Sequence, residues 1–340
     1  MMIMKRSLIL LVILMFSMIT YAKKLATLPE IFKPFHLAVD DQRFYVTQDT
    51  IIFIFSLKDF TLEKKFGKMG EGPQEFKRPQ VGSGIMTFPQ ADSLVVNSLG
   101  KISFYTKEGN FIKEMKSPAS GQVMGLYQPI GKQFAGFGMK MGENLSIEVA
   151  VNIYDAQLRK VKEIHHQPFF QQGRMTFPLI PTVFYVSGNK IITAGGKEFG
   201  INIFDANGNK VTTIAREYKL LKVTEDYKQA VLDSVKNNPD TKQFYEIIKN
   251  MIKFTDLFPA IQFFYVDNQK IYIQTYLKND ETYEFFIYDF KGKFLKRLFL
   301  PVAYQDGYRV CPTTVKDNKL YQLIENEEEE VWELHAHTIE

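Results

Sequence analysis

Apolar residues alternate with polar ones in short runs along most of this chain, and many runs end in the same phrase. The phrase reads Ile153-Tyr154-Asp155, Ile203-Phe204-Asp205 and Ile287-Tyr288-Asp289, with related copies that begin at Ile54 and Phe104. The copies that begin at 54, 104, 153 and 203 lie 50, 49 and 50 residues apart. A period of about 40–50 residues with several short strands per unit is typical of a propeller blade.

The turns between the runs carry a second signal. Asn207-Gly208 follows the phrase at 203–205, and we expect both residues to adopt the positive φ angles of a tight hairpin. A turn followed by a short apolar strand precedes the phrases and occurs six times, so six four-stranded blades are predicted. These copies are Arg43-Phe44-Tyr45-Val46, Ser93-Leu94-Val95-Val96, Gln133-Phe134-Ala135, Lys190-Ile191-Ile192, Lys270-Ile271-Tyr272-Ile273 and Lys319-Leu320-Tyr321.

The last unit is one strand short. Strands are predicted near 309–315, 319–324 and 331–336, and an open edge would expose unpaired backbone groups. The segment 24–32 can supply the missing strand. We therefore predict an all-β fold, a six-bladed β-propeller closed by pairing of the N-terminal strand with the C-terminal blade.

The segment Phe66-Gly67-Lys68-Met69-Gly70-Glu71-Gly72-Pro73-Gln74-Glu75-Phe76 resembles the G-x-G-P-x-E-F signature of bacterial six-bladed β-propeller proteins related to NHL repeats. The resemblance covers residues 23–340 through the blade count and the turn phrases, although the signature itself occurs once. It implies a secreted or membrane-anchored protein. Most members of that family have no assigned activity, so the resemblance leaves the function open.

Residues 1–22 have the pattern of a secretory signal peptide. Lys5 and Arg6 precede an apolar stretch from Leu8 to Ile19, and the small residue Ala22 ends a cleavage site. The stretch is shorter than the roughly 20 residues of a spanning helix. We expect cleavage after Ala22, a mature propeller of residues 23–340 without a membrane span, and a periplasmic or extracellular location. An uncleaved anchor is the alternative.

A helical hairpin is predicted at about 222–254, between blades 4 and 5, where two copies of the phrase lie 84 residues apart. Thr224 is a capping residue for the first helix. The second helix is expected from about Asp240 to Lys253, with Phe244, Ile247, Ile248 and Met251 at helical spacing. We expect this apolar stripe to pack on the propeller, with a partner-binding helix as the alternative.

Charge and cysteine content narrow the class of function. The formal net charge is +4, and the predicted signal peptide contributes two of these charges, so nothing favours a nucleic-acid partner. Cys311 is the only cysteine, and its apolar neighbours predict a buried structural thiol. The acidic run Glu327 to Glu330 is interpreted as a solvated hairpin tip, with a cation site as the alternative.

Familiar catalytic patterns are missing from the sequence. It contains no G-x-S-x-G, no H-E-x-x-H and no glycine-rich phosphate loop that ends in Lys-Ser or Lys-Thr. His165 and His166 are adjacent, and neighbours in a strand point to opposite faces, so they cannot bind one metal ion together from a regular strand. We predict no catalytic residue, no metal and no cofactor.

The candidate ligand-binding residues lie on long connections. The predicted loop at 169–175 contains Phe169, Phe170 and Arg174, which suit stacking on a sugar or peptide and hydrogen bonding to it. The alternative is that its aromatic residues plug the ring. The remaining candidates are Tyr304, Tyr308 and Arg309 in a later connection and Arg78, which can reach an anionic ligand or pair with Glu75.

These patterns favour an exported, non-catalytic propeller that binds a peptide, a glycan or an envelope protein on its loop-rich face. One alternative is a hydrolase or lyase that acts at the mouth of the channel, which requires carboxylates or histidines to converge there. The other is a scaffolding component of an envelope complex, which predicts a large apolar patch on the helical insertion. The sequence predicts no oligomeric state.

Overall fold

A computed structural model describes residues 22–77, 84–116, 126–144, 146–180 and 183–339. The predicted signal peptide, Ala22 apart, and Arg78 lie outside the described residues. Short antiparallel strands dominate the described chain, as β-branched and aromatic residues in alternating runs predict.

The strands are numbered in chain order. The first nine are β1 (Lys23–Leu28), β2 (His36–Val39), β3 (Arg43–Gln48), β4 (Ile51–Ser56), β5 (Leu62–Phe66), β6 (Met86–Pro89), β7 (Leu94–Ser98), β8 (Lys101–Tyr105) and β9 (Phe111–Lys116). The next nine are β10 (Gln128–Ile130), β11 (Gln133–Met141), β12 (Ile147–Tyr154), β13 (Lys160–Gln171), β14 (Arg174–Phe177), β15 (Phe184–Ser187), β16 (Lys190–Ala194), β17 (Gly200–Asp205) and β18 (Lys210–Ala215).

Helices interrupt the strands after β18. Helix α1 spans Glu225–Asn237, a 3-10 turn spans Lys242–Phe244, and helix α2 spans Tyr245–Met251. The remaining strands are β19 (Ile252–Phe254), β20 (Phe263–Asp267), β21 (Lys270–Asn279), β22 (Thr282–Asp289), β23 (Phe294–Pro301), β24 (Tyr304–Gln305), β25 (Arg309–Val310), β26 (Thr313–Lys316), β27 (Lys319–Asn326) and β28 (Val331–Thr338).

Four of the sheets are simple meanders of four strands: β2–β5, β6–β9, β15–β18 and β20–β23. A fifth sheet has the order β1-β28-β27-β26, in which Lys23 pairs with Ala336 and Leu28 with Trp332. The sixth has the order β10-β11-β12-β13-β14-β19 and is called the extended sheet below. Among the described residues, strands β24 and β25 pair only with each other.

The first strands of several successive sheets lie against one another, with β26 at the corresponding position of the sheet that also contains β1. Strand β26 contacts β2, β2 contacts β6, β10 contacts β15, β15 contacts β20, and β20 contacts β26. Small antiparallel sheets that meet along their first strands form a β-propeller. Apolar clusters fill the space between neighbouring sheets; one joins Phe44 and Phe55, whose rings stack at 4.8 Å, to Leu323, Trp332 and Leu334.

Buried amides add polar links between sheets. Asn97 on β7 donates to the carbonyl of Tyr127 at 2.9 Å and accepts from its N–H at 2.7 Å. Gln128 on β10 donates to the carbonyl of Phe184 and accepts from the N–H of Val186 at 3.0 Å. Each amide satisfies a backbone group of the following sheet, so the sheets are fixed by hydrogen bonds as well as by packing.

The repeated phrase forms the hairpin between the third and fourth strands of a sheet. In three copies the aspartate Oδ1 accepts the backbone N–H groups two and four residues later, at 2.8–3.0 Å: Asp155, Asp205 and Asp289. The expected tight turn at Asn207-Gly208 is wrong in one respect. Only Gly208 has a positive φ, 72°, because the loop is longer and a bulge between Ile203 and Phe204 closes it.

The signature segment folds into a compact loop after β5. Phe76 is fully buried, and a side chain on Gly67 would collide with its ring and with the carbonyl of Thr50. Glu75 accepts the N–H of Gly72 at 2.9 Å and pairs with Lys68 at 2.8 Å. The glycine, the acid and the aromatic residue of the signature therefore each hold this loop in place.

The helical segment agrees with the sequence prediction at its start and differs at its end. The Thr224 hydroxyl accepts the N–H of Tyr227, as predicted for the cap. The second helix ends at Met251, because the chain becomes extended at Ile252 and enters β19. No helix of the described residues is both long and apolar enough to cross a membrane.

The predicted packing of the apolar stripe is wrong for three of its residues. Phe244, Ile247 and Met251 are 49%, 63% and 36% exposed. Ile248, on the same stripe, is half-buried. The pairing of β19 with β14 explains the difference, because it holds α2 at the edge of the extended sheet, where only one side of the helix meets the protein.

Candidate functional site

The extended sheet departs from the four-stranded pattern. Strands β11, β12 and β13 have 9, 8 and 12 residues, and β13 turns into β14 at Gln172 and Gly173, both with positive φ. Strand β14 then pairs in parallel with β19, with Met175 opposite Ile252 and Phe177 opposite Phe254. The predicted loop at 169–175 is therefore wrong: these residues form a hairpin, because the strands continue past the end of the blade.

A bulge in β13 separates two neighbouring phenylalanines. Phe170 lies opposite Ile147 and Pro168 lies opposite Glu148, so Phe169 is the additional residue between them. Directly opposite residues share a face. One face therefore carries the apolar row, which we define as Met141, Ile147, Phe170, Met175 and Ile252. The other face carries Pro168, Gln171, Thr176 and Lys253.

The second face borders a cleft of about 590 Å³. The β13–β14 hairpin and the segment 178–180 form one side, and the segment 253–259 after α2 forms the other. Its apolar lining residues are Pro168, Phe169, Pro178, Leu179, Ile180, Leu220, Phe254, Leu257, Phe258 and Pro259, and its polar ones are Gln171, Thr176, Lys197, Lys253, Thr255 and Asp256. This size and this apolar character are usual for ligand sites.

Backbone hydrogen bonds hold the 253–259 side of the cleft. The N–H of Thr255 donates to Phe177 at 2.8 Å, and the N–H of Phe258 donates to Leu221 at 2.9 Å. The N–H of Ala260 donates to the carbonyl of Lys197, also at 2.9 Å. The segment is thus tied to three different parts of the chain, and the cleft is formed before any ligand arrives.

Aromatic contacts support the buried end of the cleft. The ring of Phe258 stacks on Tyr276 at 4.2 Å and meets Tyr227 of α1 edge to face at 5.1 Å. Tyr227 in turn contacts Tyr308 at 6.1 Å. Helix α1 therefore connects the cleft to the β24–β25 hairpin.

The structure distributes the predicted site residues over several places. Phe169 lines the cleft, whereas Phe170 belongs to the apolar row on the other face. Arg174 is exposed opposite Gln171 and does not line the cleft. Arg78 lies outside the described residues, and Glu75, its suggested partner, pairs with Lys68.

The second predicted group forms the β24–β25 hairpin. Tyr304 donates to Gln262 at 2.7 Å and accepts from Gln274 at 3.1 Å, and burial raises its pKa. Arg309 pairs with Asp306. Tyr304, Tyr308 and Arg309 are thus engaged in contacts within the protein, and Tyr308 reaches the cleft only through Tyr227.

Sequence reasoning missed the side of the cleft formed by 253–259. Its signal is weak: Phe258 and Pro259 follow a predicted helix, and no local pattern indicates that β19 pairs with a strand about 75 residues earlier. The apolar stretch at 178–180 also gave no sequence signal of a binding site, because apolar residues next to proline occur in many loops.

Buried acidic groups of the described residues hold the fold together. Glu284 accepts from Arg297, Tyr218 and Thr275, at 2.6–2.8 Å. Asp40 accepts from Tyr45 at 2.9 Å and pairs with Lys107 at 3.2 Å. Within the described ranges, no group of three or more His, Cys, Asp or Glu side chains is placed to hold a metal ion.

Cys311 is buried, as predicted. Burial raises the pKa of its thiol to about 12, so the thiolate is scarce at neutral pH and the residue is unsuited to nucleophilic chemistry.

Comparison with known proteins locates the fold. No family model matches the chain, and no curated protein matches it. A solved "Putative exported protein" of Bacteroides fragilis NCTC 9343 is 10% identical, with 94% of this chain and 95% of that chain covered and a TM-score of 0.50. A member of the DUF4221 family from Bacteroides vulgatus is 11% identical, with 93% and 97% covered and a TM-score of 0.48. The WD40 domain of Neurospora crassa Pan2 is 9% identical, with 93% and 95% covered and a TM-score of 0.47. At these identities the first likeness concerns the fold alone.

Proposed function

We propose that this chain is an exported, non-catalytic β-propeller that binds an extended peptide segment of a partner protein in the cleft beside Phe169. The preformed apolar cleft is the observation that carries this proposal. Its described lining has ten apolar residues against six polar ones and contains no tyrosine or tryptophan, whereas a glycan offers many hydroxyl groups that must be hydrogen-bonded. A peptide with apolar side chains is therefore favoured over a glycan.

We further propose six blades, one for each sheet of four or more strands, with the helical insertion at about 222–254 between the fourth and fifth. The contacts among first strands support a single ring. The pairing of β1 with β28 supports closure of that ring by the two ends of residues 23–340. The signature loop supports kinship with propellers related to NHL repeats.

Export rests on the leader pattern at 1–22, and the Bacteroides fragilis neighbour carries the word exported in its name. We propose cleavage after Ala22 and a periplasmic or extracellular location. The mass of the protein recovered from the periplasm and the medium tests this proposal: it should correspond to residues 23–340. A mass that retains residues 1–22 would contradict it.

The binding proposal can be tested with residues 23–340 and a displayed library of random 12-residue peptides. Peptides that are recovered should bind the protein, and Phe169→Ala should weaken their binding at least tenfold. Phe170→Ala is the matched control, because it removes the neighbouring ring from the other face and should leave affinity within about twofold. Melting temperatures of both variants report on folding. Loss of binding in Phe170→Ala alone would move the site to the apolar row.

A second candidate function is that of a component of an envelope complex. The exposed Phe244, Ile247 and Met251 on the insertion favour it, because exposed apolar clusters mark contact surfaces. A photoreactive amino acid at position 247 should then cross-link to one envelope protein in cells, and one at Lys58 should not. The same products from both positions would contradict this function.

A further inference from the structure

Two lysines that line the cleft have no acidic partner. Neither Lys197 nor Lys253 forms an ion pair with a carboxylate of the described residues. Both side chains are exposed at the cleft, so each ammonium group can meet an acidic group of a ligand.

The two lysines lie in different parts of the fold. Lys253 is held in β19 by its pairing opposite Thr176. Lys197 lies between β16 and β17, and its carbonyl accepts the N–H of Ala260. Both backbones are fixed, so the two residues border the cleft without any rearrangement of the main chain.

The remaining charge of the cleft is one carboxylate. Asp256 lines the cleft, is exposed, and forms no ion pair with a described lysine or arginine. The lining thus carries two positive charges and one negative charge beside ten apolar residues. A ligand that places one acid beside its apolar part matches this pattern, whereas a basic ligand would meet two like charges.

We propose that the peptide bound in the cleft is acidic, with an apolar side chain in the cleft and a carboxylate that pairs with Lys197 and Lys253. The inference rests on the proposed function and adds its specificity. Charge-assisted hydrogen bonds from lysine would fix the register of the peptide, while the apolar lining supplies the main contact area.

The test compares peptide selections on residues 23–340 and on the charge-reversed variant Lys197→Glu/Lys253→Glu. The same library of random 12-residue peptides serves both. The unmodified protein should enrich aspartate and glutamate next to apolar residues, and the variant should enrich lysine and arginine. Peptides selected on the unmodified protein should bind the variant at least tenfold more weakly, with a smaller loss in 0.5 M salt because salt screens exposed charges.

Lys58→Glu/Lys65→Glu is the control, since it makes the same change of net charge on exposed residues of another sheet. It should select the same acidic peptides as the unmodified protein. Apolar peptides without any charge preference would overturn this inference and leave the peptide-binding function standing. Recovery of no peptide above background would contradict both. Equal acidic enrichment on the Lys197→Glu/Lys253→Glu variant would also overturn the inference.

Discussion

The four-stranded sheets and the extended sheet consist of similar strands but differ in what their faces contact. In a four-stranded sheet such as β15–β18, each strand stops at a turn, and the side chains of both faces enter clusters shared with neighbouring sheets. In the extended sheet β11–β13 continue past that limit. None of the five side chains of the apolar row packs into a core cluster of the described residues.

The difference shows where this fold has room for a ligand. In the four-stranded sheets both faces pack against neighbouring sheets, so a substitution there alters the stability of the fold. The extended sheet offers two faces outside the core, one with the cleft and one with the apolar row. A binding surface can change there while the propeller core stays the same.

The largest effect is expected for Glu284→Ala, in a four-stranded sheet. This change leaves the hydroxyl groups of Tyr218 and Thr275 without their common acceptor and Arg297, which is half exposed, without its partner. Roughly 1–3 kcal/mol for each unsatisfied hydroxyl group gives an expected loss in the free energy of unfolding of about 4 kcal/mol. Urea denaturation measures the loss. Glu148→Gln on the extended sheet is the control and should stay within about 0.5 kcal/mol. Equal losses in both variants would remove the contrast between the two regions.

Two glycines with nearly the same backbone angle sharpen the comparison. Gly208 has φ 72° and Gly173 has φ 74°. A methyl group on Gly208 would lie 2.5 Å from Cγ2 of Ile164, whereas one on Gly173 meets nothing within 4 Å.

Gly173→Ala should therefore cost only the strain of the left-handed conformation, about 1 kcal/mol. Gly208→Ala should cost about 3 kcal/mol, because overpacking adds to the same strain. Thermal and urea unfolding of the two variants give the difference. A smaller loss in Gly208→Ala than in Gly173→Ala would mean that the blade hairpins are not tightly packed.

The sheet that contains β1 tests whether strands that are distant in sequence pair as stably as strands that follow one another. Burial alone would raise the pKa of Glu333, but hydrogen bonds from Lys24, Asn326 and His335 outweigh it and lower the pKa to about 2. A carboxyl group with a lowered pKa stabilises the fold above its unfolded value near 4.5, and this stabilisation disappears as the pH falls towards 2.

Glu333→Gln should consequently lower stability by about 1 kcal/mol at pH 7, since Lys24 is half exposed to solvent. Its stability should also fall less between pH 4.5 and 2 than that of the unmodified protein. Urea unfolding at several pH values measures both. Identical profiles of stability against pH in the two proteins would show that this carboxylate does not stabilise the pairing of β1 with β28.

The smallest effect is expected for Met141→Lys at the end of the apolar row. Met141 is 72% exposed, so the change should stay within about 0.5 kcal/mol in urea unfolding. A loss above 1 kcal/mol would indicate that another element covers the row, and the extended sheet would then resemble the regular ones.

Local patterns predicted much of the propeller and little of the site. The repeated phrase located the hairpins because its aspartate makes the same two backbone hydrogen bonds in three copies. The cap at Thr224 was equally local. Phe169 and Phe170 were predicted to share one binding site, but they lie on different faces of the extended sheet. The bulge at Phe169 reverses the side of every residue beyond it, and a single-residue bulge has no clear sequence signal here.

Long-range pairing explains the other failures. The apolar spacing of Ile248 and Met251 predicted a helix correctly but did not reveal that the strand after it pairs with β14, which sets how the helix lies. The burial of Phe258 depends on Tyr227 and Tyr276, which are distant in sequence. The cleft is a product of these contacts, so only the three-dimensional structure brings its two sides together.

The pairing of β1 with β28 has a consequence for biosynthesis. Lys24 and Glu333 meet across 309 residues of chain, so the earliest strand of the described fold receives its neighbour only after the ribosome has produced nearly all of the others. Until then β1 presents a free edge to which other chains can add. A chaperone that holds the new polypeptide until β28 has been made would protect this edge, and slow synthesis of the last segment should raise aggregation more than slow synthesis of any middle segment.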